Sequence, residues 1–270
     1  MPRRLARPTM PDMLRLIDTH CHLTDRRLRH DVPGLLHRAR DAGVVAVICA
    51  AGDLEESRAA DDLARCTADV YCLAGVHPHD AKSVPADYLR QIEQLTGEAG
   101  NVALGEIGLD YYRNLSPPDV QRRVFAEQLD LARRLGKKAV VHTRDALHDT
   151  LSILKDSLLD GAGVVFHSCT ESAAGVRQLL EIGAMVSFSG IVTFKNTACL
   201  REAAGIVPDA RLLIETDAPY LSPEPVRKMK NNEPANVAHV AACLAALRGT
   251  SPEQLAEQTT ANARRFFGLR

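Results

Sequence analysis

The chain has 270 residues, of which 46% are hydrophobic and 25% charged, and its formal net charge is −1. This length suits one large domain or two small ones, and the composition is that of a globular protein with a sizeable core. The near-neutral charge excludes a broadly basic surface that binds long nucleic acid through many phosphates. Any contact with nucleic acid should therefore be local.

The beginning of the chain and the cysteines bear on the compartment. Residues 1–13 are basic but precede no apolar signal sequence, and no stretch has the ~20 apolar residues of a membrane span. We interpret them as a flexible lead-in to a domain over residues 14–270. The seven cysteines contain no C-x-x-C pair, so neither a disulfide framework nor a zinc ribbon is indicated. We therefore predict a cytoplasmic protein without membrane contact.

Short apolar runs alternate along the chain with longer amphipathic stretches. Their apolar character is nearly continuous, which is typical of parallel strands covered on both faces. Alternating strands and helices imply right-handed crossovers and a parallel α/β sheet. Eight repeats favour closure into a (β/α)8 TIM barrel as a single domain. The predicted strands span residues 14–18, 44–50, 70–76, 102–108, 139–142, 163–167, 184–190 and 211–216.

The clearest helix is predicted over residues 119–136, between the fourth and fifth strands. Asp119 is predicted as its N-cap and Gly136 as the residue that ends it. A helical stripe is formed by Val120, Val124, Gln128, Leu131 and Leu135. Residues 236–267 are predicted to form one or two closing helices.

Residues that can bind metal fall at the carboxyl ends of the predicted strands, where parallel barrels build their active sites. His20 and His22 follow the first strand one residue apart, so on an extended chain both imidazoles project to one side. The other candidates end or follow later strands, and they are Glu106, His142, His167 and Asp217. A single histidine at a strand end is more often structural. Six such residues at equivalent positions nevertheless predict a metal site.

The mixture of imidazole and carboxylate ligands suits zinc, manganese, iron or magnesium. Six ligands exceed the needs of one tetrahedral ion, and a carboxylate such as Glu106 can place one oxygen on each of two ions. We therefore expect two divalent metal ions, and the sequence leaves their identity open among Mg²⁺, Mn²⁺ and Zn²⁺.

At these residues the sequence resembles the TatD family of metal-dependent deoxyribonucleases, within the amidohydrolase-like barrels, from about Ile17 to Leu269. The segments that carry the resemblance include DTHCHL (18–23), GVHPHD (75–80), GEIGLDYYR (105–113), HTRDA (142–146), ETDAPYL (215–221) and NEPANV (232–237). The resemblance implies 3′-to-5′ exonucleolytic cleavage of DNA, either single-stranded or at chain ends. It also implies two overlapping ligand sets: His20, His22, Glu106 and Asp217 for one ion, and Glu106, His142 and His167 for the other.

Several positions depart from the family pattern, and in HSCTES (167–172) the usual Phe after His167 is absent. Thr24 stands where the family often has Asp, Glu171 replaces a common glycine, and Asn231 replaces the usual arginine. They bear on substrate preference more than on the reaction, because none of them is a predicted ligand.

The reaction that we predict is attack on phosphorus by a water that two cations activate, with Glu106 between them. Asp217 is the candidate for accepting the proton of that water. His77 and His79, after the third strand, are candidates for contacting phosphate or protonating the leaving group. For His79, an alternative role is equally well supported, namely a hydrogen bond that orders the loop around Pro78.

Three further residues lie near the predicted ligands. Arg144 is a candidate for gripping a phosphate, and an ion pair with Asp145 or Asp149 is its alternative. The roles of Asp110 and Tyr111 are undecided: they could support Glu106, stack on a base or only pack against their neighbours. Because only 4% of the residues are aromatic, we favour a site that binds the end of a nucleic-acid chain over an extended groove for a single strand.

Two other functions stay open. A barrel hydrolase of small amides, lactones or phosphoesters could use the same ions, because fold and ligand set do not separate it from a nuclease. A non-catalytic metal-binding protein is the second alternative, although structural zinc sites are usually closed and rich in cysteine. Besides DNA, we expect no obligate protein partner.

Overall fold

The apolar runs of the sequence form parallel strands that pair in chain order. The computed structural model describes residues 14–269, and within this range eight strands form one sheet in which each strand neighbours the next. The predicted (β/α)8 barrel is confirmed. The strands are β1 (Leu16–Cys21), β2 (Val44–Cys49), β3 (Val70–Ala74), β4 (Asn101–Asp110), β5 (Ala139–Arg144), β6 (Val164–Phe166), β7 (Met185–Phe188) and β8 (Leu212–Ile214).

The first and last strands meet through a short seam. Cys21 forms an isolated parallel bridge with Ala218. The backbone N–H of His22 donates to the carbonyl of Ala218 at 2.7 Å, and that of Asp217 donates to the carbonyl of His20 at 2.9 Å. Three of these residues are predicted metal ligands, so the barrel nearly closes through the same segments that carry part of the site.

Nine α-helices within residues 14–269 cover the barrel. They are α1 (Val32–Asp41), α2 (Leu54–Cys66), α3 (Tyr88–Thr96), α4 (Pro118–Leu135), α5 (Leu147–Ser157), α6 (Ala173–Glu181), α7 (Ala198–Ile206), α8 (Val237–Arg248) and α9 (Pro252–Phe267). The last two are the closing helices predicted for residues 236–267. Helix α9 begins with a capping box, in which the Ser251 hydroxyl accepts from the backbone N–H of Gln254.

Helix α4 differs from its prediction at the start. Pro117 is the N-cap and Pro118 the first helical residue, so the predicted N-cap Asp119 lies inside the first turn. A proline is favoured there because its missing N–H would have no helical partner, and an acidic residue in the first turn interacts well with the helix dipole. Gly136 ends the helix in the left-handed conformation, with φ of 62°, as predicted.

Three strands carrying predicted ligands are longer than the sequence indicated. Strand β1 runs to Cys21, so His20 lies within the strand instead of after it. Strand β4 continues to Asp110, beyond both Glu106 and the predicted end at residue 108, and β5 continues to Arg144, two residues beyond His142. The predicted lead-in over residues 1–13 lies outside the described residues.

The core has two parts. One lies between the sheet and the helices, and the other fills the barrel interior with residues such as Ile17, Ile48 and Leu73. Helix α9 closes the amino-terminal end of the barrel, because Phe266 and Phe267 belong to the interior cluster. Active-site chemistry is therefore confined to the opposite, carboxyl end.

The cysteines and the helices bear on the predicted compartment. All seven cysteines are free, and none of the described helices is long and apolar enough to cross a membrane. The predicted cytoplasmic location stays a prediction.

Replacing Phe267 by Ala should lower the free energy of unfolding by about 3 kcal/mol, because a large aromatic side chain is lost from a closed core. The side chain is 6% exposed and packs in the barrel interior. The measurement is urea denaturation followed by circular dichroism. Leu247→Ala is the matched control, since Leu247 is 38% exposed and should change the value by less than about 0.5 kcal/mol. Equal losses in the two variants would contradict this account of the core.

Candidate metal centre

The Glu106 carboxylate lies at the centre of a cluster of histidines at the carboxyl end of the barrel. Its side chain is almost completely buried. Oε2 lies 3.2 Å from His20 Nε2 and 3.7 Å from His22 Nε2. Oε1 lies 2.8 Å from His167 Nε2 and 3.2 Å from His142 Nδ1. The two oxygens of one carboxylate thus face two different sets of imidazoles.

Asp217 joins the first of these sets. Its Oδ1 lies 3.5 Å from His22 Nε2 and 4.0 Å from His20 Nε2. We call His20, His22 and Asp217 the seam group, because they stand where β1 meets the segment after β8. The six ligands predicted from the sequence are therefore all brought together around Glu106.

The backbone at Asp217 is in the left-handed region, with φ of 56°. This region is uncommon for residues other than glycine, although Asp and Asn tolerate it better than most. The conformation is held by the hydrogen bond from its own N–H to His20 and by the Thr216 hydroxyl, which accepts from Ala218 N–H at 3.1 Å. The turn directs the carboxylate towards the histidines.

The strands depart from regular pairing at Glu106 and His20. The register of β4 against β5 shifts between Leu104 and Ile107, which bracket Glu106. The register of β1 against β2 also shifts around His20. Irregularities of this kind re-aim a side chain and are frequent beside active sites. The sequence carried no signal for either shift.

The carboxylates of the centre stay ionised in spite of their burial. Burial alone opposes the charge on Glu106, but the surrounding imidazoles, His167 foremost, lower the pKa of this carboxyl well below its usual value. Burial likewise opposes the charge on Asp217, and the hydrogen bond from His22 lowers its pKa. Ionised carboxylates are the form that binds cations.

His77 also contacts Glu106, at 3.3 Å between Nε2 and Oε1. Its Nδ1 accepts a hydrogen bond from the backbone N–H of His79 at 3.1 Å, so the proton of the neutral ring is on Nε2. Burial lowers the pKa of His77 to about 4, which keeps the ring neutral near pH 7. We call His77, His142 and His167 the far group. A neutral ring with its proton on Nε2 suits donation to a phosphate better than protonation of a leaving group.

Sequence reasoning missed Glu215. Its Oε1 lies 3.2 Å from Nδ1 of His167, and its side chain is buried. A carboxylate behind a histidine fixes the orientation of the ring and raises its basicity as a ligand. The available signal was its place in the ETDAPYL segment, two residues before Asp217, which was not enough to distinguish it from a strand residue.

Asp110, whose role the sequence left undecided, contacts two histidines instead of Glu106. Its Oδ2 lies 3.3 Å from His142 Nε2 and 2.9 Å from His79 Nε2. Burial opposes the charge on Asp110, but these two hydrogen bonds lower its pKa. The contact with His79 orders the segment after Pro78, the alternative considered for that histidine. Tyr111 packs on the core, and its hydroxyl donates to Asp149 at 2.7 Å.

Above the cluster a cavity of about 640 Å³ opens to solvent, within the range of small-ligand sites. Arg144 lines it and forms no ion pair with Asp145 or Asp149. Its guanidinium instead lies 3.8 Å from the ring centroid of Tyr112. Positive charge therefore stands at the mouth beside the buried carboxylates.

The residues fit divalent metal ions by their chemistry and spacing. Within residues 14–269, three sets of imidazole and carboxylate ligands have ligand atoms within 4.8 Å of one another. These sets are His20, His22 and Asp217; His20, His167 and Glu215; and His77, Glu106 and His142. Nitrogen and oxygen ligands of this kind suit zinc, manganese or magnesium.

Comparison with known proteins relates this geometry to one family. The model of the TatD-related DNase family matches residues 17–268. An uncharacterized metal-dependent hydrolase, YcfH of Escherichia coli strain K12, is 41% identical over 257 residues, which cover 94% of this chain and 96% of the relative. The TatD protein of Klebsiella pneumoniae strain 342, named a 3′-5′ ssDNA/RNA exonuclease, is 37% identical over 258 residues, which cover 94% and 98%.

A solved structure agrees with these relatives. The crystal structure of YJJV, a TatD homologue from Escherichia coli K12, superposes with a TM-score of 0.89 at 28% identity, covering 96% of this chain and all of that one. The chain therefore belongs to the TatD-related DNase family of metal-dependent hydrolases.

Proposed function

We propose that this chain is a two-metal phosphodiesterase that removes nucleotides from the 3′ ends of single-stranded DNA. The observation that carries the proposal is the position of the Glu106 carboxylate between the seam group and the far group. Oε2 is directed to the first group and Oε1 to the second. One carboxylate can therefore serve two cation sites at once.

The ligand assignment follows from these contacts. The seam group with Glu106 would hold one ion, and His142, His167 and Glu106 would hold the other. His77 Nε2, which carries the ring proton, lies close enough to Glu106 Oε1 to donate to a phosphate beside the second ion. Magnesium, manganese and zinc all accept such a ligand set.

Two bound cations would supply an activated water and neutralise charge on the phosphoryl oxygens. The chain's own residues do the rest. Asp217 stands at the edge of the cluster, where its carboxylate can accept the proton of the attacking water. Arg144 has no acidic partner within residues 14–269, so its guanidinium is available to hold a phosphate at the mouth.

Three observations support nucleic acid as the substrate. The chain belongs to a family described as DNases, and the Klebsiella relative is named an exonuclease acting on single-stranded DNA and RNA from the 3′ end. The cavity has a volume of about 640 Å³, and Arg144, which forms no ion pair within residues 14–269, lines it. The net charge of −1 disfavours binding along a long strand. Binding of the end of a nucleic-acid strand at the mouth of the barrel is consistent with all three observations.

Glu106→Gln should abolish metal-dependent shortening of DNA, with a fall of more than about 100-fold in rate. The expected fall exceeds the ~10–100-fold effect of losing a partner behind a ligand, because Gln removes the shared negative charge itself. The measurement follows a 5′-labelled single-stranded oligonucleotide after chelator treatment and return of Mg²⁺, Mn²⁺ or Zn²⁺. Glu181→Gln, at the exposed end of α6, is the matched control and should shorten DNA like the unaltered protein.

Other outcomes of this assay would point elsewhere. Shortening at a normal rate by Glu106→Gln would contradict the arrangement of two ions around Glu106. If the unaltered protein cleaved a small amide, lactone or phosphoester but left DNA intact, the small-molecule hydrolase would replace the nuclease. Shortening from the 5′ end would contradict the proposed polarity.

Glu215→Gln should weaken metal binding by roughly 10- to 100-fold, because the carboxylate behind His167 orients the ring and raises its basicity. The substituted amide is of the same size, so the fold should be retained. Isothermal titration of the metal-free protein with Mn²⁺ measures the affinity directly. A higher metal concentration should restore most of the activity in this variant but not in Glu106→Gln. Unchanged Mn²⁺ affinity would show that Glu215 does not support a ligand.

A further inference from the structure

Two of the five tyrosines are exposed at the mouth of the barrel. Tyr112 is 60% exposed and Tyr220 is 46% exposed, and both line the cavity above Glu106. Each ring has an arginine guanidinium against it. The chain has no tryptophan and only 4% aromatic residues. Two exposed tyrosines around one cavity are therefore a distinct feature, and the proposed chemistry uses neither ring.

The Tyr220 pair is held firmly in place. The guanidinium of Arg27 lies 4.2 Å from the ring centroid. Arg27 is itself fixed by Asp25, with Nη2 donating to Oδ2 at 2.8 Å and Nε donating to Oδ1 at 3.0 Å. The ring meets His22 edge-on, with 5.9 Å between centroids and an interplanar angle of 87°. The tyrosine thus stands beside the seam group with one face covered by the arginine.

The Tyr112 pair stands beside the far group. Arg144 lies 3.8 Å from the ring centroid and pairs in register with Asp110 across β4 and β5. Tyr111, the preceding residue, is half-buried and bound to Asp149, so the two adjacent tyrosines differ in role. Only Tyr112 presents its ring to the cavity.

The topology places the two pairs on opposite sides of the mouth of the barrel. Tyr220 follows β8, and Tyr112 follows β4, which is four strands away in the order of the eight-stranded sheet. In a nearly closed barrel, positions four strands apart face each other across the mouth. A strand whose phosphate lies over Glu106 therefore has one ring available on each side.

We propose that Tyr112 and Tyr220 each stack one nucleobase, one on either side of the phosphate that is cleaved. This inference rests on the proposed phosphodiesterase function and names its substrate class more closely as an unpaired strand with two accessible bases. Stacking on an aromatic ring recognises the face common to all bases, so it tolerates sequence. The arginine behind each ring fixes its orientation in advance and adds a cation–π contact.

The substrate class follows from the same contacts. Bases in a duplex are stacked on their neighbours, so a duplex end has to be frayed before its bases can meet the two rings. Stacking is indifferent to the 2′-hydroxyl, so DNA and RNA strands should be held alike. Abasic positions should lose the contact while keeping the phosphate.

The test is a double-mutant cycle in which one change is made in the protein and the other in the substrate. Tyr112→Leu and Tyr220→Leu are compared with the unaltered protein on a 5′-labelled oligothymidylate, and on oligonucleotides with one abasic residue at the terminal or the penultimate position. Each Leu variant should raise KM on the intact strand by roughly 5- to 100-fold, with a smaller change in kcat. On one of the two abasic substrates, each variant should raise KM by less than about 2-fold, because the base that its tyrosine contacts is already missing. This substrate should be a different one for Tyr112→Leu and for Tyr220→Leu.

Three controls separate stacking from structural damage. Tyr112→Phe and Tyr220→Phe keep the ring and should retain the KM of the unaltered protein. Mn²⁺ affinity, measured by calorimetry, should be unchanged in the Leu variants. Tyr71→Leu, on β3 towards the amino-terminal end of the barrel, changes a tyrosine remote from the mouth and should leave KM unchanged.

The outcomes distinguish this inference from the proposed function. Equal KM rises on intact and abasic strands, or coupling of both tyrosines to the same position, would overturn the stacking arrangement while leaving the nuclease intact. Binding is measured separately by fluorescence anisotropy in the same cycle. Base-dependent binding without any shortening of the strand would support the stacking and contradict the phosphodiesterase.

Discussion

The burial of one charge, that of the Glu106 carboxylate, is the constraint on which the mouth of the barrel depends. A carboxylate that is 3% exposed is costly unless close partners compensate it. Five imidazoles lie within 3.7 Å of its oxygens. They come from the first, third, fifth and sixth strand–loop units, so four separate segments have to converge on β4. The ionised state of Glu106 and the closed shape of the barrel therefore support each other.

The same constraint makes the seam between β1 and β8 the sensitive part of the fold. Few backbone hydrogen bonds join these strands, and buried polar groups add to them. Both Asp18 oxygens accept from Thr216, at 2.8 Å from its N–H and at 2.6 Å from its hydroxyl. Asn232 extends the network by donating to the Thr216 carbonyl at 3.0 Å. A fully satisfied network of this kind fixes one arrangement of the chain, and the left-handed turn at Asp217 needs such support.

The sequence predicted the barrel and the ligands because both leave periodic signals, whereas contacts across the mouth do not. Continuous apolar runs indicate strands, and polar residues at their ends indicate a site, so Glu106 and the other five candidate ligands could be named. The partnership of Glu215 with His167 joins residues 48 positions apart, and no local pattern encodes it. The register shifts at His20 and Glu106 depend on how neighbouring strands pair. For the same reason, the ends of β1 and β4 were predicted at the wrong residues. Pro118 displaced the predicted N-cap Asp119 for a local reason that the sequence did contain.

The small net charge restricts how this site can hold a polyanion. Affinity for nucleic acid usually comes from many phosphate contacts. A chain of net charge −1 offers few of them, since within residues 14–269 only Arg113 and Arg144 line the mouth as arginines without an ion pair. The bound cations of the proposed centre would add charge only at the cleaved phosphate. The remaining affinity has to come from contacts that are not electrostatic, and the exposed rings of Tyr112 and Tyr220 are suited to provide it. In the proposed function, such a site would hold a short unpaired end and release it readily after each cleavage, because it would contact only the two nucleotides nearest the reaction.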